Sequence, residues 1–149
     1  MILFITIEAQ SDVSSALMQI AKETIQTIHF VTDKNSVLEN INNYGTEFKV
    51  ISIIPSCVDD EFWNALGWKE RKQIWRKKGE ADIRLRMDYD RFVAETPQNQ
   101  RLLFYGIIVK SIQAVQERSE GDFRGDDLIK DILSAFNVSK EDLKQLNAI

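Results

Sequence analysis

By residue type, few positions could do chemistry: one histidine, one cysteine, two Asp-Asp pairs and one dense basic stretch. His29 lies between Ile28 and Phe30 at the end of an apolar-faced helix, so it reads as a packed or capping residue rather than a base. No second histidine completes a zinc set, and Cys57 has no cysteine to pair with. Following Pro55-Ser56, Cys57 reads as a small buried hydrophobe. Paired carboxylates can hold a metal or transfer protons when buried. Asp59-Asp60, however, falls in a polar loop, and Asp126-Asp127 at a helix start, where negative charge suits the helix dipole. The six glycines are scattered and form no phosphate loop. No catalytic, cofactor-binding or metal-ligating residue is assigned, and the chain is expected not to be an enzyme.

The basic stretch Trp75 to Tyr89 reads "WRKKGEADIRLRMDY". Between Lys69 and Arg86 stand eight bases and three acids, a local +5 in a chain of net charge -4, which leaves -9 elsewhere. Strict alternation from Asp82 to Tyr89 sends Ile83, Leu85 and Met87 to one face and Arg84 and Arg86 to the other. The outer face then presents Arg71, Gln73, Trp75, Arg84 and Arg86, flanked by Asp82 and Asp88. Arg and Trp dominate protein-binding hot spots, and they also stack on bases and contact phosphates. A solvated strand face with cross-strand ion pairs is the third reading. Glu117 to Ile149 carries eight acids and five bases and is the acidic counterpart. The candidate partner-binding residues are Asp59, Asp60, Trp63, Trp75, Arg84, Arg86, Asp126, Asp127 and Asp131.

These residues need elements to position them. A chain of 149 residues that is 44% hydrophobic and 28% charged suits one domain over 1–149. "MILFITIEAQ" reads as a strand buried on both faces rather than a signal peptide, and no apolar run approaches the ~20 residues that cross a bilayer. Ser11 caps a helix carrying Val13, Leu17, Ile20, Ala21, Ile25 and Ile28 on one face. A short helix over Val37, Leu38 and Ile41 stops near Gly45. Phe48 to Ile54 reads as a strand that Pro55 ends, and Asp59 to Gly67 as a loop or a single helical turn.

Lys69 to Tyr89 reads as a hairpin turning at Lys78-Gly79, with Ile74 facing Ile83, Trp75 facing Asp82 and Gln73 facing Arg84. A helix over Glu70 to Lys78 is the alternative, given its good helix formers. Thr96-Pro97 starts a long helix to about Arg118, apolar nearly all round and therefore central. Asp126 starts another helix through Phe136, and Ser139 caps a short last one. The expected fold class is α+β: an antiparallel sheet of about four strands, including the basic hairpin, packed against several helices.

The segments "ADIRLRMDYDRF", "TPQNQRLLF" and "DFRGDDLIKDIL" resemble a family of immunity proteins from bacterial polymorphic toxin systems, the kind that includes contact-dependent growth inhibition. The resemblance covers about Trp68 to Leu133. It rests on Arg84, Arg86, Asp88, Tyr89, Phe92, Asp122, Phe123, Leu128, Asp131 and Ile132; nothing up to Cys57 matches. It implies a small cytoplasmic, non-enzymatic protein that binds one cognate toxin domain, commonly a nuclease, and blocks its active site or substrate path. An acidic protein suits a basic nuclease, whose phosphate-binding surface it can occupy. The competing reading is a small nucleic-acid-binding module using the Trp/Arg hairpin face. That module would show salt-sensitive binding lost on replacing Arg84 and Arg86.

Overall fold

β3 organises the chain, because strands from both sides pair with it in parallel. The structure is a computed structural model that describes residues 2–9, 15–24, 26, 44–65 and 72–149. In order the elements are β1 (Ile2–Ile5), β2 (Glu8–Ala9), helix α1 described over 15–24, β3 (Val50–Cys57) and α2 (Asp60–Ala65). Then come β4 (Lys72–Lys77), β5 (Glu80–Arg86), α3 (Tyr89–Ala94), α4 (Pro97–Glu117), α5 (Gly125–Ala135) and α6 (Lys140–Gln145). His29, the proposed Ser11 cap and the short helix expected around Val37 to Ile41 lie outside the described residues.

The strand order is β1-β3-β5-β4, with β2 also on β3. β1 pairs with β3 in parallel from Ile2↔Val50 to Ile5↔Ile53, and β3 pairs with β5 in parallel from Val50↔Glu80 to Ser56↔Arg86. Only β4 and β5 run antiparallel. The sheet is therefore mixed and mostly parallel, and the expectation of an antiparallel sheet is corrected. The α+β class and the hairpin stand. β3 is an interior strand with parallel neighbours on both edges, the setting in which near-continuous apolar runs occur.

Pro55 does not end β3, contrary to expectation, since the strand runs two residues further. Odd-numbered residues of β3 turn their backbone groups toward β1, as shown by the Thr6 N–H donating to the Ile53 carbonyl at 3.0 Å. The donor that Pro55 lacks therefore faces Thr6 and Ile7, the two residues separating β1 from β2. β1 and β2 keep the same register on β3, so they form one edge strand interrupted opposite the proline.

The β4–β5 register matches the alternation: Ile74↔Ile83, Trp75↔Asp82, Gln73↔Arg84, Lys77↔Glu80. Gly79 holds φ +76 in the two-residue turn, a conformation that favours glycine. The described residues of the helical alternative, from Lys72 on, form a strand and turn instead. Past Arg86 the strand reading fails. Asp88 caps α3 by accepting from the Arg91 N–H at 3.0 Å, and Tyr89–Ala94 is helical.

One sheet face carries Leu3, Ile51, Ile53, Ala81, Ile83 and Leu85, all buried. They share a core with Phe104, Ile108 and Ile112 of α4, each fully enclosed, and with Leu17 and Ile20 of α1. Each leucine, isoleucine or phenylalanine among them, withdrawn from water, favours the fold by ~1.5–3 kcal/mol. α4 begins at Thr96-Pro97 as expected, and it touches β3, β5, α3, α5 and α6. The other sheet face, with Ser52, Ile54, Asp82, Arg84 and Arg86, is half-buried. Phe4 is 51% exposed, so β1 is not enclosed on both faces. No helix among the described residues is long and apolar enough to cross a membrane.

Candidate functional site

At the carboxyl ends of β3 and β5 the chain leaves the sheet twice, into α2 and into α3. Both departures are acidic. Asp59 and Asp60 open α2, and Asp88 and Asp90 open α3, where carboxylates satisfy or face unpaired backbone N–H groups. The register Ser56↔Arg86 sets these starts side by side. Asp59, Asp60, Asp88 and Asp90, with Arg86 and Tyr89, line one small cavity of about 100 Å³. This is the edge at which open parallel sheets offer crevices to ligands.

Arg86 is the centre of that edge. Its side chain is only 9% exposed, it pairs with the 81% exposed Asp60, and its guanidinium lies 5.5 Å from the centre of the Trp63 ring. Cation–π contact of this kind holds both groups in place. Trp63 itself is 2% exposed, so it supports the edge from beneath. Arg84 projects from the same face of β5, and its Nε lies 2.9 Å from a Glu8 carboxylate oxygen of β2, reaching across β3. Both guanidinium groups are thus engaged by carboxylates, which leaves little cationic surface for phosphate. Trp75 stands opposite Asp82 in the ladder.

The remaining candidates lie elsewhere, on α5. Asp126 and Asp127 are exposed in its first turn, engaged respectively by the Gln116 side-chain amide and by Arg124 at 3.6 Å. Asp131 turns inward and accepts from the Tyr44 hydroxyl at 2.7 Å. The structure therefore brings Asp59, Asp60, Trp63, Arg84 and Arg86 into one neighbourhood and places the α5 acids in a second one.

Three features escaped the sequence. Glu8, Asp88 and Asp90 complete the acidic edge. The signal for the latter two was Asp88 standing before helical spacing at Tyr89, Phe92 and Val93. Glu47 ties the hairpin to the α4–α5 loop. It accepts from Arg76 at 2.7 Å, from the Glu120 and Gly121 N–H groups at 3.0 and 3.1 Å, and from the Ser119 hydroxyl. Burial pushes the Glu47 carboxyl upward. The donors of Ser119, Glu120 and Gly121 and the charge of Arg76 outweigh that, holding it below the ordinary carboxylate value.

The third feature is a groove of about 590 Å³ between α4 and α6, floored by Tyr105 and Phe136. Their rings stack at 4.4 Å with an interplanar angle of 19°. Burial pushes the Tyr105 phenol upward.

Among the described residues no group of three or more His, Cys, Asp or Glu is arranged to hold a metal ion. Residues 1–138 match the model of a family described as Immunity protein 44. The match takes in the N-terminal third, beyond the Trp68 to Leu133 stretch that carries the resemblance. No curated protein and no solved structure matches the chain.

Proposed function

Because the chain belongs to that immunity-protein family of polymorphic toxin systems, and so is a non-enzymatic inhibitor that neutralises a cognate toxin, we propose which toxin it meets and how. The toxin is a basic nuclease domain. It is blocked at its active site or substrate path by the acidic edge at the carboxyl ends of β3 and β5. The protein does this in the cytoplasm, as one domain.

The observation that carries this reading is the ring of Asp59, Asp60, Asp88 and Asp90 around an arginine that is already paired. Such an edge presents net negative charge on rigid helix starts. A nuclease that grips phosphates with Lys and Arg offers the complement, and occupying those residues displaces nucleic acid. Asp126 and Asp127, exposed on α5, extend the same sign of charge and steer approach.

The test uses the C-terminal toxin domain encoded by the adjacent gene. Co-expression with this protein is expected to restore growth. Changing Asp60→Lys with Asp90→Lys is expected to slow association about 10-fold or more at low salt, with the difference fading at high salt. An unchanged association rate would remove this edge from the interface. A toxin without nuclease activity would remove the nuclease assignment while leaving neutralisation in place.

A further inference from the structure

We propose that Arg91 is a positioning residue for the acidic edge: its guanidinium ties the start of α3 to the end of α6, and so holds Asp88 and Asp90 in the geometry that meets cationic side chains of the toxin. The proposal rests on the toxin-neutralising reading and deepens it, by naming what keeps the contact surface in shape.

The first observation is how little else holds α3. Of its six residues only Phe92 is buried. A helix of that length does not keep its geometry unaided. At the junction of β5 and α3 lies a cavity of about 190 Å³, bordered by Met87, Asp88, Arg91, Leu103, Ile107 and Ala148. Packing is therefore incomplete at the point where Asp88 leaves the sheet, and polar bonds must do what packing does elsewhere.

The second observation is the fork that Arg91 makes. Its Nη1 donates to the Asn147 carbonyl at 3.1 Å and its Nη2 to the Leu146 carbonyl. Its Nε lies 3.9 Å from Glu95 of its own helix. Carbonyls at a helix C-terminus lack intrahelical partners and carry partial negative charge, so a planar cation complements two of them at once.

The third observation is that the far end of the fork is firmly seated. Leu143 is fully enclosed, and the Ala148 N–H donates to its carbonyl at 2.7 Å across Asn147, which turns at φ +56. A Cβ at Gly106 of α4 would stand 2.4 Å from the Ala148 carbonyl oxygen, so α4 and this turn meet backbone to backbone. Arg91 thus fastens α3 to the central helix by way of a closed turn. Leu146 and Asn147 lie beyond residue 138, where the match to the family model ends. The chain braces its acidic edge with residues outside that match.

The test variant is Arg91→Lys, which keeps the charge and removes the planar fork. Thermal unfolding by circular dichroism sets a temperature at which every variant is folded. Hydrogen exchange on the free, full-length protein then reads the edge. The Phe92 N–H, which donates to the Asp88 carbonyl at 3.0 Å, is expected to exchange about 10-fold faster, with the amides of α4 unchanged. Kinetics with the purified C-terminal toxin domain of the adjacent gene read the interface. Association is expected to stay within about 2-fold, because the net charge is kept, and dissociation to quicken about 10-fold. Asp90→Asn supplies the second arm of a double-mutant cycle. The two changes together are expected to weaken binding by clearly less than the product of the single losses, since Arg91 acts through the edge carboxylates. Losses that simply multiply would overturn the positioning role, as would wild-type exchange and dissociation in Arg91→Lys, and neutralisation would stand in either case. Absence of binding by the wild-type protein itself would overturn the neutralisation by this toxin on which the proposal rests.

Discussion

Glu47 accepts from Arg76 of β4 and from three donors of the α4–α5 loop, and its own N–H donates to the Asp122 carbonyl at 3.0 Å. Arg76 also donates to the Arg118 carbonyl at 2.7 Å and covers the Phe48 ring. Replacing Glu47 by Gln removes the charge that makes these bonds strong, and is expected to cost about 1–3 kcal/mol in urea unfolding at pH 7. The pH dependence has a definite sign. A carboxyl held below its ordinary value of 4.5 stabilises the fold fully above that pH and loses the contribution as pH falls through its folded value. The wild type should therefore lose its advantage over Glu47→Gln on acidification below that ordinary value, with the two unfolding curves converging. Curves that stay apart would show that the carboxylate's ionisation is not the source. Nothing in the sequence marks Glu47, because a lone acid between Thr46 and Phe48 belongs to no period or motif. Trp63 shows the opposite case: its type suggested a surface anchor, but tertiary packing under Arg86 encloses it.

At the scale of elements, local chemistry was legible wherever it was local. Ser139 caps α6 with a reciprocal box to Asp142, and Thr96 with Pro97 opens α4, both as the residue types require. Ser139→Ala leaves the first-turn N–H groups of a six-residue helix without their partner. It is expected to lower stability by about 1 kcal/mol, read as a lower urea midpoint with an unchanged slope. No change in midpoint would mean that packing of the buried Leu143 alone holds α6. The hairpin was legible for the same reason. A period of two fixes which side chains share a face, and Lys78-Gly79 fixes the register. α3 was missed because Met87-Asp88-Tyr89 continues the alternation by composition while Asp88 caps a helix. Alternation identifies a strand's faces and says little about where the strand stops.

For the whole molecule, the parallel order β1-β3-β5 was hidden because alternation reports a strand's faces and not the direction of its neighbour. The clue available was the apolar run of β3, Val50 to Ile54, nearly unbroken as in strands with parallel partners on both edges. The acidic edge was equally hidden. It exists only because β3 and β5 end together, which sets Asp59-Asp60 beside Asp88 and Asp90. The parallel order also has a consequence in time. β4 and β5 meet through a two-residue turn, whereas Ile2 pairs with Val50 across a long separation in sequence, so the outer strand is costly to place early. We expect Ile83→Val, on the hairpin, to slow refolding, and Leu3→Ala, on the edge strand, to speed unfolding while leaving the refolding rate nearly unchanged. Stopped-flow measurements on the two variants decide this, and a reversed pattern would place β1 in the folding nucleus. If β1 pairs last, protection by a newly made copy begins only once that edge strand has joined β3.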